Sequence, residues 1–179
     1  MRLQKYWRSL SIDLDKTNQL TIVLFTIYMF VLLWILLLKF GVRFTYMEER
    51  SVNLIPFSEA LDRSQLILNV VFFIPLGIYA EVLFKKWTLW NRLFFVFLTS
   101  LMVEGLQYVL RIGALDTTDI ITNSLGGLTG LLIYVAIEKL FNNSVRSQKF
   151  INIIAGIGTV IMVSLLILLK LNMLPVRYQ

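Results

Sequence analysis

Glu104, Gln107 and Arg111 follow spacings of three and four, which puts them on one face of a helix. The next segment repeats the pattern: Asp116 and Asp119 are three apart, and Asp119 and Asn123 are four apart. Carboxylates beside a guanidinium and side-chain amides support several kinds of chemistry. The planar fork of Arg111 suits a phosphate or carboxylate, so the set can hold a polar head group. Carboxylates with an asparagine oxygen also suit a hard cation such as Mg²⁺, although this spacing does not demand a metal. As an enzyme, the set offers Asp119 or Glu104 as general base and Arg111 to stabilise negative charge. The same residues can equally satisfy one another, with Arg111 paired to Asp119 or Glu104 and Asn123 bonded across a helix interface. Asp116 has a simpler use, capping the free N–H groups of the helix it precedes; Asp119, one turn farther in, is less well explained that way. The chain has no histidine and no cysteine. That excludes serine–histidine triads, histidine-bearing zinc sites, thiolate chemistry and disulfides.

The elements that position these residues are membrane helices. Of 179 residues, 58% are hydrophobic and 16% charged, with a mean hydropathy of +0.75. A water-soluble domain carries more charge and less apolar surface than this. About 20 mostly apolar residues cross the hydrocarbon layer, and five segments qualify: 20–38, 66–84, 93–110, 120–137 and 151–169. The expected fold is all-α, an integral membrane bundle of about five transmembrane helices. Residues 1–19 form an N-terminal tail, and 20–179 form a single membrane domain. The first span is longer than a cleaved signal's apolar region and ends in Leu36-Leu-Leu-Lys39, so it reads as a retained helix.

Lysine and arginine placement sets the orientation. The tail and the second and fourth connections share ten of them, against seven on the other side. This places the N-terminus in the cytoplasm and both polar faces near the outer surface, where a Gly113-centred turn returns the fourth span antiparallel to the third. The net charge of +6 is scattered through short loops rather than gathered in a stripe, which argues against nucleic acid and for anionic lipid head groups.

Other polar positions carry two readings each. Asn69 near the outer end of the second span is either glue between helices or part of the outer site. Pro75 removes a backbone bond to Val71 and is expected to kink that span. Glu81, near Lys85, reads as a solvated interfacial acid. Gly126-x-x-x-Gly130 fits close helix packing. Before the second span, Ser58–Arg63 suits a short helix, and the apolar loop before it suits either a roof over the polar cluster or a simple cover.

Taken in order, these pieces resemble the VanZ-like family of small bacterial membrane proteins. The resemblance rests on Asn53-Leu-Ile-Pro-Phe57, Asn69-x-x-x-Phe73-Ile-Pro-Leu-Gly77, Glu104-x-x-Gln107 with Arg111, and Asp116-x-x-Asp119-x-x-x-Asn123-x-x-Gly126. It covers about residues 50–137, and the outer spans match only as hydrophobic segments. The family's founding association is resistance to glycopeptide antibiotics, especially teicoplanin. The resemblance therefore implies a multi-pass protein of the bacterial cytoplasmic membrane that acts on the cell envelope or on a drug's access to it. It also implies that Glu104, Gln107, Arg111, Asp119 and Asn123 form a shared site, to which Asn53, Asn69 and Asp116 are added as candidate ligand-binding residues; it supplies no reaction and no cofactor.

Three functions follow. The first is a binding protein for a lipid-linked envelope precursor, a membrane lipid or an amphiphile such as a lipoglycopeptide, with Arg111 on the head group and the loop before the second span as lid. The second is an enzyme acting on lipid-linked precursors. The third is a small-solute transporter, which five spans without an evident inverted repeat disfavour. The sequence leaves the oligomeric state open.

Overall fold

The computed structural model describes residues 2–38, 47–57 and 63–171. Five long helices dominate: α1 (Arg2–Leu38), α2 (Arg63–Leu83), α3 (Leu89–Leu110), α4 (Thr117–Phe141) and α5 (Ser144–Lys170). All five are long and apolar enough to cross a membrane. Polar side chains within the spans turn inward beside an apolar core, while many large apolar ones face outward. Asn69, Glu104, Thr122 and Asn123 are buried, whereas Ile67, Met102, Val109 and Leu132 are 60–65% exposed. In water this arrangement would be costly; in hydrocarbon it spares polar groups from lipid.

The helices outrun the apolar segments that mark them. α1 begins at Arg2, so the residues read as a tail continue helically into the first span. α4 runs to Phe141 and α5 starts at Ser144, which shrinks a 13-residue connection to Asn142 and Asn143. Hydropathy marks only the stretch that needs lipid, while the helix continues wherever its backbone bonds are made. Asn142 ends α4 in the left-handed region at φ 46°, which asparagine tolerates better than most residues. α2 runs on through Pro75.

The chain forms two compact units. Residues 30–144 make the larger one, and residues 1–29 with 145–179 make the smaller. In the larger unit α4 packs on α2 and α3 at glycines. A Cβ added at Gly130 would lie 2.0 Å from the carbonyl oxygen of Ile74, one at Gly126 2.3 Å from that of Val70, and one at Gly77 1.9 Å from that of Gly127. On the other side of α4, a Cβ at Gly127 would meet a Val96 methyl at 2.3 Å. The Gly126-x-x-x-Gly130 pair thus lets the backbones of α2 and α4 touch, which is how helices associate without a hydrophobic driving force.

At the other end of this unit, Arg92 joins α3 to the end of α2. Its guanidinium pairs with Glu81 at 2.8 Å, and it also donates to the carbonyl oxygens of Phe84 and Lys85. The Glu81 side chain is 13% exposed, so it is a largely enclosed ion pair with Arg92 rather than a solvated acid beside Lys85. Lys85 bonds Ser144 instead. Spacing along one helix suggests an i, i+4 partner, but the α2–α3 turn brings the Arg92 guanidinium closer.

Candidate functional site

Two short strands that sequence reasoning did not anticipate build the site's roof. β1 (Val52–Asn53) pairs in parallel with β2 (Leu115–Asp116), Val52 opposite Leu115 and Asn53 opposite Asp116. The apolar loop is thereby stitched to the α3–α4 turn. Asn53 donates its amide to Asp116 Oδ2 at 3.2 Å, and its carbonyl accepts from Thr117 Oγ1 at 3.1 Å. One step on, the Phe57 N–H donates to Thr118 Oγ1 at 3.0 Å. Phe57 holds φ 58°, a left-handed conformation that costs a bulky residue roughly 1–2 kcal/mol, and the Thr118 bond helps to hold it. Leu54 and Ile55 on this loop are about 70% exposed, as suits a segment at a lipid interface. The expected short helix over 58–63 falls outside the described residues except for Arg63, which opens α2.

The turn itself is made differently from the expected Gly113-centred one. The left-handed residue is Arg111, at φ 58°, and its N–H closes the end of α3 on Gln107 and Tyr108. No glycine among the described residues has positive φ. At Gly113 a Cβ would crowd the Gln107 side chain at 3.2 Å.

Below the roof, the polar residues divide into groups. Asp116 is the N-cap of α4, accepting from the Thr118 N–H at 2.6 Å, while its own N–H faces Glu104 Oε2 at 3.5 Å. Glu104, 2% exposed, braces the start of α4 from α3. Asp119 turns toward α2, where Asn69 donates to Oδ1 at 2.7 Å and Gln65 to Oδ2 at 3.2 Å. Thr122 sits beneath it, 3.5 Å from the Asn69 amide. Deeper, Asn123 donates to Ser100 at 3.0 Å. Its carbonyl oxygen is buried and takes no hydrogen bond from the described residues. Gln107 leaves the group and donates to the Leu36 carbonyl of α1 at 2.9 Å.

The spacing places Glu104, Gln107 and Arg111 on one face, yet the structure gives them three different surroundings. Arg111 has left the helix and is exposed. It forms no ion pair with Glu104 or Asp119 among the described residues, so of the self-satisfied alternative only the Asn123 bond across a helix interface is present. Sequence reasoning missed Gln65, Ser100, Thr118 and Thr122. Each lies four residues from a residue already singled out or from another of the four: Gln65 from Asn69, Ser100 from Glu104, Thr118 from Thr122. A search for polar residues at helical spacing on adjoining spans would have found them. No group of three carboxylates among the described residues converges to hold a metal ion.

Five helices long and apolar enough to span, with a cluster of polar side chains roofed by a short parallel ladder, define a multi-pass helical membrane protein. The VanZ/LLP1 family model matches residues 25–142, nearly the whole larger unit, and the chain belongs to that family. It is 35% identical over 148 residues to Protein VanZ of Enterococcus faecium, a match covering 80% of this chain and 89% of the relative. No solved structure matches it.

Proposed function

We propose that this chain is a cell-envelope binding protein of the bacterial cytoplasmic membrane, with its N-terminus in the cytoplasm and the polar cluster at the outer face. Its ligand is a lipid-linked envelope precursor or an amphiphile, and its effect is protection against teicoplanin-type lipoglycopeptides. The observation that carries this reading is the Asp119 carboxylate, held half-buried between α2 and α4 by Asn69 and Gln65 under an apolar, lipid-facing loop. A carboxylate positioned by amide donors suits a ligand's amines or hydroxyls, and the exposed Arg111 at the start of the same turn suits an anionic group. Glu104 acts from behind, through the Asp116 backbone. Membership of the VanZ/LLP1 family and the Enterococcus faecium relative supply the link to envelope antibiotics.

The test compares teicoplanin and vancomycin susceptibility in a sensitive Gram-positive host. Strains carry wild type, Asp119→Asn, Arg111→Ala or Glu104→Gln at matched membrane abundance. Wild type is expected to protect selectively against teicoplanin, with protection lost in Asp119→Asn and Arg111→Ala. Equal protection by all four overturns the role of the cluster. No protection by wild type overturns the resistance reading.

A further inference from the structure

The smaller unit carries a second feature, on a different helix pair. Midway along α1 and close to the start of α5, the two helices are joined by amides and hydroxyls, buried except for Asn18. Gln148 donates to Asn18 at 2.9 Å and to Thr21 at 2.8 Å, Thr21 meets Asn152 at 3.0 Å, and Asn152 donates to the Thr17 carbonyl at 3.2 Å. Beside this network lies a groove of about 720 Å³ that runs along both helices. Lys16 and Lys149 line one end together with Thr17 and Asn152, and Leu24, Gly156, Ile157 and Ile161 are among the apolar residues that line the remainder. The floor is open at its middle, since a Cβ added at Gly156 would meet nothing within 4 Å. From Lys149 to Ile161 the helix rises about 18 Å, slightly more than half of the ~30 Å hydrocarbon thickness.

We propose that this groove is a binding site for one anionic glycerophospholipid of the leaflet on the N-terminal side of α1. Its phosphate lies between Lys16 and Lys149, and one acyl chain lies along Leu24, Gly156, Ile157 and Ile161. The charge distribution favours this occupant. Both lysines stand at one end and the lining below them is apolar, which is the amphiphilic pattern of a phospholipid within one leaflet. A helix from a second copy would bring its own two lysines toward this pair and add repulsion.

Full-length protein is purified from nanodiscs of equimolar phosphatidylglycerol and phosphatidylcholine, and retained lipid is counted by native mass spectrometry. Wild type is expected to retain one phosphatidylglycerol in preference to phosphatidylcholine. Lys16→Gln and Lys149→Gln each lower that preference about fivefold, the attraction of one lysine for an anionic lipid surface, and Lys16→Arg/Lys149→Arg keeps it. Gly156→Phe fills open space, so it expels both lipids while helix content and monodispersity stay as in wild type. The proposal is overturned if wild type shows no headgroup preference, if the glutamine variants retain phosphatidylglycerol unchanged, or if Gly156→Phe retains it. A lipid-free dimer would also overturn it, by placing a second copy on the groove.

Discussion

Where α2 meets α4 the backbones touch through glycine, whereas α1 and α5 are held by side-chain amides and hydroxyls close to the start of α5, beside an open groove. Lipid tails are as apolar as leucine, so burying apolar surface between membrane helices gains little. Two means remain. Close approach multiplies dispersion contacts and permits no change of shape; hydrogen bonds between polar side chains tolerate a gap beside them. The first builds the rigid frame that Asp119 and Asn69 require, because a bond of 2.7 Å between two helices survives only if the helices cannot drift. The second leaves room for a ligand.

Substitutions can break this contrast, beginning with the largest effect. Gly130→Leu drives a side chain into the Ile74 carbonyl of α2. It is expected to cost about 3 kcal/mol or more, read as a lower thermal midpoint in detergent, and to abolish Asp119-dependent protection by separating α2 from α4. Glu81→Gln at the other end of the same unit leaves the Arg92 guanidinium in an enclosed site with oxygen acceptors but no counter-charge. The expected loss is about 2 kcal/mol, and a Glu81→Gln/Arg92→Gln double variant recovers part of it in a double-mutant cycle. Asn152→Leu, in the hydrogen-bonded pair, removes the contacts to Thr21 and Thr17 and costs only about 1 kcal/mol. If Asn152→Leu proved as damaging as Gly130→Leu, side-chain hydrogen bonds would hold α1 to α5 as firmly as glycine packing holds α2 to α4.

Much of the frame was legible beforehand. Long uncharged runs permit one solution in lipid, since an apolar helix satisfies every backbone group within itself. The value of Gly126 and Gly130 could be read for the same reason, because small residues four apart form a flat helix face. Helix ends were read short, since they continue past the lipid that hydropathy detects. Glu81 was assigned the wrong surroundings because its partner, Arg92, lies across a turn.

The candidate site was legible in membership but not in wiring. Asp116 as a cap followed from its place before a helix, and local geometry decides that bond. Glu104, Gln107 and Arg111 share a helical face by spacing, but their partners depend on how the chain turns after Leu110. A left-handed Arg111 ends the helix, releases its own side chain outward and lets β2 pair with β1. No periodicity encodes a two-residue parallel ladder between segments more than sixty residues apart, because it depends on where α2, α3 and α4 have already been placed.

The sequence by itself therefore determined that this chain is a membrane bundle of about five helices, and which polar residues had to find shelter inside it. Those are consequences of moving backbone and side chains from water into hydrocarbon, a free energy that each segment meets on its own. Only the tertiary structure decided which shelter each residue took: Asp119 with Asn69 and Gln65, Glu104 behind Asp116, Gln107 on Leu36, and Arg111 outside. Hydrogen bonds act over about 3 Å, so their partners are settled by the approach of whole helices, here governed by glycines 77, 126, 127 and 130.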